Sequence, residues 1–377
     1  MGFALEKIQI LDLTRVIPGP YCSLLLGDLG CNVTKIEEPE KGDYTRQMDP
    51  ALFYALNRNK KSLTLNLKNS GGKEIFRTLA QKADVILESF RPGVAKKLGI
   101  DYDNICRLNN RIIYCSITGY GQKGPYHMRP GHDLDFVALA GIFDILPAEP
   151  HVLPLAIADL NSGMFGAISI LAALFEREKC GEGQFIDISI MDCALSWMST
   201  KIYKESKAAE TQYAGFGIFK TKDSRFLSLS AIEDNFWRNL CETFTRSGFV
   251  MDFKQLKMEE RNRHSIQINQ AIGEIIKAKT LRDWIELFSQ NDIPFSPLNT
   301  LDEVPLDPHI AFHGMIFNMF HPQFGKMKQV KFPAKLSLTP AKIGTPPPKL
   351  GEHTNGILHD LGYGNEEIDF LRKTGVI

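Results

Sequence analysis

A histidine and an aspartate in two separate motifs have the side chains that proton transfer at a carbon atom requires. His132 lies in a glycine- and proline-rich stretch, residues 119–136, and Asp159 stands at the head of an apolar helical run, residues 160–177. An imidazole titrates near physiological pH, so it can both take and give a proton. With a carboxylate on the opposite side of a substrate, the pair predicts acid/base chemistry on a carbon acid.

Each of the two residues also has a simpler structural interpretation. A histidine in such a turn is often a turn or core residue, and an aspartate before a helix is most simply its N-cap. Asp133 and Asp135 are candidates for capping the helix that follows His132. Capping is compatible with catalysis, so these interpretations do not exclude the functional one.

The glycines of the same stretch imitate a nucleotide-binding motif. Gly119, Gly121 and Gly124 match the dinucleotide pattern G-x-G-x-x-G after a strand-like run. That motif requires a helix to begin at once, with its N-terminus on the pyrophosphate. Pro125 and Pro130 interrupt the chain instead, so the sequence predicts no nicotinamide or flavin cofactor.

Composition excludes several classes of function. Of 377 residues, 44% are hydrophobic and 23% charged, and 44 basic residues balance 44 acidic ones. A net charge of zero gives no support for binding to nucleic acid or to a membrane surface. The seven cysteines show no metal-ligand spacing, and no signal peptide or run of transmembrane length is expected. These features predict a cytoplasmic protein with no bound metal.

The order of strand-like and helical patterns predicts an α/β fold. Short β-branched runs alternate with helical segments in the first half, which is typical of a parallel sheet. We expect a large domain over residues 1–205 and a linker over 206–224. A smaller α+β domain should follow over 225–320, and residues 321–377 should return to the large domain. A strand is predicted over residues 329–336.

Six sequence blocks carry a resemblance to a known family. They are residues 11–20 (LDLTRVIPGP), 27–37, 42–46, 57–68 (NRNKKSLTLNLK), 88–93 (ESFRPG) and 350–354 (LGEHT). Together they resemble the family III CoA-transferases, and within that family the α-methylacyl-CoA racemases. The resemblance implies a Rossmann-like large domain with a parallel sheet, a smaller α+β domain and an interlocked homodimer.

The resemblance also assigns residues to the binding of an acyl-CoA substrate, with no cofactor beyond the CoA moiety itself. Basic residues suit the phosphates of CoA, because arginine forks match phosphate geometry. The positions implied to contact CoA are Val16, Ile17, Asn57, Arg58, Lys60, Lys68, Phe90, Arg91, Lys97, Gly131, Asp133 and Asp135.

The family contains two chemistries, and both use the aspartate at position 159. In the racemases, the resemblance implies that His132 and Asp159 move a proton at the α-carbon of a 2-methylacyl-CoA thioester through an enolate. Glu233 would orient His132, and backbone N–H groups at the helix head would stabilise the enolate. In the transferases, Asp159 would be a nucleophile that carries an aspartyl-CoA thioester.

Sequence features divide between these two hypotheses. The short segment at residues 213–219 lacks the long glycine-rich loop of formyl-CoA transferases and favours the racemase, whereas Asn161-Ser162-Gly163 after the aspartate is closer to some transferases. The sequence interpretation is a racemase or epimerase, with a CoA-transferase as the alternative. A CoA-binding protein without catalysis is a third possibility.

Overall fold

The computed structural model describes residues 2–146, 149–202, 212–250 and 253–377. The chain divides into two compact units. Unit 1 comprises Met1–Tyr203 and Met315–Ile377, and unit 2 comprises Lys204–Gly314.

Unit 1 is built on a sheet of six parallel strands in the order β3-β2-β1-β4-β5-β6. Strands β4 and β5 are buried along their whole length, which is typical of a parallel sheet covered on both faces. The α/β fold with a parallel sheet is therefore confirmed. The strands are β1 Gln9–Asp12, β2 Asn32–Glu37, β3 Lys60–Thr64, β4 Val85–Glu88, β5 Ile113–Thr118 and β6 Phe185–Ser189.

Helices pack on both faces of this sheet and produce two hydrophobic clusters. Ile170 of the long helix α8 belongs to one cluster, and Phe76 of α4 belongs to the other. The helices are α1 Pro18–Asp28, α2 Thr45–Met48, α3 Pro50–Leu56, α4 Ser70–Lys82, α5 Val94–Leu98, α6 Tyr102–Ile105, α7 Asp133–Leu139, α8 Ile157–Cys180, α9 Ile190–Trp197 and α10 Ser199–Ile202, with a 3-10 helix at Ile142–Ile145.

Helix α8 differs from two expectations. It begins at Ile157, with Ala156 as its N-cap, so Asp159 lies in the first turn and is not the N-cap residue. With a mean hydropathy of 1.5, it is also long and apolar enough to cross a membrane, although no run of that kind was expected. Half of the window is buried inside the protein, and the core helix of a globular unit has the same composition.

Unit 2 consists of a small antiparallel sheet and a group of helices. Trp237, Phe244, Trp284 and Phe288 fill its core. The elements are β7 Phe216–Lys220, β8 Phe226–Ser230, α11 Asp234–Arg246, α12 Met258–Arg263, α13 Ser265–Ile276, α14 Leu281–Ser289, β9 Phe295–Pro297 and α15 Pro308–His313, with a 3-10 helix at Val304–Leu306. Of the predicted linker, residues 206–211 lie outside the described residues. Residues 216–220 form β7, because they pair with β8.

The C-terminal segment joins unit 1 from Met315 onward, rather than from residue 321. It contains the hairpin β10 Ile316–His321 and β11 Gly325–Val330, then α16 Thr354–Asp360 and α17 Asn365–Lys373. The strand predicted over 329–336 is wrong in its extent. The observed strand ends at Val330, and Pro333 has no N–H to donate to a sheet.

Candidate active site

A cavity of about 660 Å³ lies in unit 1 beyond the carboxyl ends of the central strands. The order of the sheet reverses between β1 and β4, and the residues that follow β1, β4 and β5 line the cavity. Ligands of open α/β sheets bind at such a switch point. The volume is in the range of small-molecule sites. His132 and Asp159 both line this cavity.

The Asp159 carboxyl group is the most perturbed acid of the cavity wall. Its residue is only 9% exposed, and no hydrogen bond or ion pair reaches its carboxylate among the described residues. Burial, together with the smaller effect of the charge of nearby Asp133, raises the pKa of Asp159 from 3.8 to about 7. A carboxylate that is neither paired nor well solvated is reactive toward an electrophile.

Asp133 holds the first turn of α8 in place. Its Oδ1 atom accepts the backbone N–H groups of Ala158 at 2.7 Å and of Asp159 at 3.0 Å. It therefore caps α8 from outside, rather than its own helix α7, and it does not line the cavity. Two of the N–H groups at the helix head, where we expected donors for an enolate, are thus already bonded to a side chain.

His132 is the N-cap residue of α7 and is exposed to the cavity. Its backbone N–H donates to the Asp135 carboxylate at 2.9 Å, so Asp135 caps α7 as expected. Gly131 allows a close approach here, because a Cβ atom would lie 2.9 Å from the Phe136 ring. This turn fixes the backbone of His132 next to the α8 terminus.

Glu233 lies in unit 2, where it is the N-cap residue of α11 and is exposed. Its side chain makes no capping hydrogen bond. Its pairing with His132 stays a prediction.

Five positions implied to contact CoA line the cavity. They are Val16, Phe90, Arg91, Gly131 and Asp135. Ile17, Lys68, Lys97 and Asp133 are not among the lining residues. Ile17 is the N-cap residue of α1, and Lys68 and Lys97 are exposed on the surface.

Arg58, Lys60 and Asn57 are buried within unit 1 and already have partners. The Arg58 guanidinium donates two hydrogen bonds to the Asp28 carboxylate, with Nε 3.0 Å from Oδ1. Its third nitrogen donates to the Gln329 side chain at 2.8 Å. These groups are internal, so the structure does not bring them to the cavity as phosphate ligands.

Lys60 is similarly enclosed. Its ammonium donates to Asn57 at 2.8 Å and to the Pro20 carbonyl at 3.0 Å, and it lies 3.5 Å from Asp12. Burial lowers the pKa of Lys60 to about 8. An ammonium with three protein partners has no donor left for a ligand.

The cavity wall contains cations that the sequence did not single out. Arg15 follows β1 and places its guanidinium 4.7 Å from the centre of the Tyr44 ring. Arg129 stacks 5.2 Å from the ring of Tyr126. Arg15, Tyr44 and Arg129 line the cavity. For Arg15 the available signal was its position inside the block at residues 11–20.

Comparison with known proteins identifies the group of this chain. The family model of CoA-transferase family III matches residues 5–354. A succinyl-CoA:glutarate CoA-transferase of Mus musculus is 34% identical over 404 residues, covering 99% of this chain and 90% of the relative. A formyl-CoA:oxalate CoA-transferase of Escherichia coli is 30% identical over 417 residues, covering 100% of both.

Solved structures agree with the sequence relatives. A CAIB/BAIF family protein from Brucella suis has a TM-score of 0.84 and 29% identity, covering 96% of this chain and 100% of that one. The motif blocks, the sheet with its switch-point cavity and these relatives point the same way. The chain belongs to CoA-transferase family III.

Proposed function

We propose that the protein is a CoA-transferase that moves CoA from an acyl-CoA thioester to a free carboxylic acid. The observation that carries this proposal is the Asp159 carboxyl group, which is buried, has no partner among the described residues and lines the cavity. The curated relatives reported above are named as CoA-transferases. The reaction requires no cofactor beyond the CoA of the substrate.

Asp159 is the nucleophile in this proposal. Its carboxylate oxygen attacks the thioester carbonyl carbon, and the CoA thiolate leaves, which gives a mixed anhydride. The thiolate then attacks the Asp159 carbonyl and releases the first acid as a carboxylate. The acceptor carboxylate reverses both steps, so the acceptor leaves as a thioester and Asp159 is regenerated. Splitting one transfer into such steps is the purpose of covalent catalysis.

The cations of the cavity indicate the class of acid. Arg15, Arg91 and Arg129 line the same cavity as Asp159. A planar guanidinium binds a carboxylate with two parallel hydrogen bonds. The relatives' names include glutarate and oxalate, which carry two carboxylates each. We therefore propose a dicarboxylic acid as acceptor, with its second carboxylate held by one of these arginines.

A racemase of 2-methylacyl-CoA thioesters is the second candidate. It is supported by His132, which lines the same cavity as Asp159. The pKa of Asp159, raised to about 7, also suits proton exchange. Against it stands the loss of the two backbone donors at the head of α8, which Asp133 occupies. The interlocked homodimer remains a proposal from the family resemblance for both candidates.

One pair of incubations separates the two reactions. With succinyl-CoA and glutarate, we expect glutaryl-CoA and free succinate, measured by mass spectrometry. With one epimer of a 2-methylacyl-CoA in deuterated water and no acceptor acid, we expect neither α-deuterium nor the other epimer. The opposite pattern would establish the racemase. Hydroxylamine should trap the enzyme-bound aspartyl thioester as a hydroxamate at Asp159.

The pH dependence of transfer should follow the ionisation of Asp159. Only the carboxylate is a nucleophile, and its pKa is raised to about 7. We expect kcat/KM to rise about tenfold per pH unit below that value and to level off above it. Because Asp133 adds a like charge, Asp133→Asn should lower the pKa and move the rise to lower pH. A profile that is flat between about pH 5 and 8 would contradict this assignment.

A further inference from the structure

The turn that follows β1 contains a residue in an unusual backbone conformation. Val16 has a φ of 70°, a region that a β-branched side chain rarely occupies. Such a conformation persists only where the surroundings fix it, and it is concentrated at binding sites. Arg15 and Val16 both line the cavity, so the strain is located in its wall.

Two buried charges bind the backbone of this turn from beneath. The Lys35 ammonium donates to the Thr14 carbonyl at 2.7 Å, and Asp43 Oδ1 accepts the Val16 N–H at 3.3 Å. Lys35 and Asp43 form an ion pair at 2.9 Å with both side chains fully buried. The turn is therefore held on either side of Arg15 by one pair of residues.

Further hydrogen bonds orient the pair. Asp43 Oδ1 also accepts the N–H of Thr45 at 3.0 Å and its hydroxyl at 2.8 Å. Neither Lys35 nor Asp43 lines the cavity, so any effect on a ligand must pass through the turn.

The Lys35–Asp43 pair supports the part of the cavity wall formed by Arg15 and Tyr44, whose side chains stack. Arg15 directly precedes Val16, and Tyr44 directly follows Asp43. Both are therefore next in the chain to one of the two residues that the hydrogen bond between Val16 and Asp43 joins. Their 4.7 Å contact joins the two segments over the cavity. A shift of Asp43 would displace both at once.

We propose that Lys35 and Asp43 are positioning residues, which hold the Val16 turn so that Arg15 and Tyr44 form a binding wall for CoA. The proposal rests on the proposed function only for the identity of this ligand. It predicts that the acceptor oxygen at position 43 matters for CoA affinity beyond its part in the ion pair.

Two substitutions at position 43 separate the two contributions. Asp43→Ala removes both the ion pair and the acceptor for the Val16 N–H. Asp43→Asn removes the negative charge but keeps an oxygen that can accept that bond. We expect calorimetry with free CoA to show a Kd about tenfold weaker for Asp43→Ala and within about threefold of wild type for Asp43→Asn. Both variants should lose thermal stability.

Two further variants complete the test. Arg177→Met breaks another ion pair of unit 1, between the buried Arg177 and the partly exposed Asp84. Neither residue lines the cavity. It should lower the melting temperature and leave the CoA Kd unchanged. Thr45→Val keeps the Lys35 pair and removes only a hydroxyl bond to Asp43. We expect a Kd about threefold weaker, which covers the case in which Asp43→Ala does not fold.

Several results would overturn the positioning role. They are equal Kd values for the two Asp43 variants, a CoA Kd for Arg177→Met as weak as that of Asp43→Ala, or a wild-type Kd for Thr45→Val. A wild-type protein that binds CoA but transfers none refutes the proposed function alone. A wild-type protein that does not bind CoA refutes both.

Discussion

Replacing Asp159 by alanine should abolish CoA transfer, with kcat lowered by about 10⁴-fold or more. Loss of a nucleophile in covalent catalysis has effects of this size, because the remaining site offers no substitute. The residue is buried in the cavity wall, and its carboxylate accepts no hydrogen bond from the described residues. The measurement is glutaryl-CoA formation from succinyl-CoA and glutarate, with quantification by mass spectrometry.

The control for Asp159→Ala is its affinity for free CoA. Free CoA should bind to Asp159→Ala with a Kd within about twofold of wild type, since binding energy and chemistry separate in such variants. Asp360→Ala, at an exposed aspartate of α16, serves as the matched substitution and should keep full activity. Activity of Asp159→Ala above about one per cent of wild type would be incompatible with covalent catalysis at this residue.

Replacing Arg58 by methionine should lower the free energy of unfolding by about 3–5 kcal/mol, because the buried Asp28 carboxylate loses its cationic partner and keeps only the hydrogen bond from Asn59. Arg58 also donates to Gln329 of β11, so the substitution loosens the attachment of the C-terminal hairpin. The measurement is urea unfolding at constant slope, which separates a change in stability from a change in unfolded-state compactness.

An exposed arginine provides the control for this effect. Arg372 pairs with Asp369 on the surface of α17, and Arg372→Met should change stability by less than about 1 kcal/mol. Arg58→Met/Asp28→Leu should recover part of the lost stability, since neither charge of this pair remains. If Arg58→Met instead keeps full stability and binds CoA weakly, Arg58 is a ligand residue after all.

The sequence predicted the parallel sheet because its central strands are largely apolar runs. β4 and β5 are buried along their length, and such runs between turn residues are visible without any structure. The C-terminal region was harder. β10 and β11 are only partly buried and mix polar with apolar residues, so their apolar pattern is weak.

The candidate site was predicted in its chemistry but not in its electrostatics. His132 and Asp159 were found because their motifs place them at the heads of helices. Arg58 and Lys60 look the same in sequence whether they face a phosphate or a buried carboxylate. Their partners, Asp28 and Asp12, lie 30 and 48 positions away in the chain, and such pairings follow only from the folded strands.

Asp133 has a consequence for how the two reactive groups can vary. It follows His132 directly in the chain, and its carboxylate accepts a hydrogen bond from the backbone N–H of Asp159. The backbones of His132 and Asp159 are therefore held at a fixed position relative to each other. Changes in the surrounding loops can exchange one substrate for another without altering the relative position of these two backbones. A family could in this way act on different carboxylic acids while the histidine and the aspartate keep the same relative position.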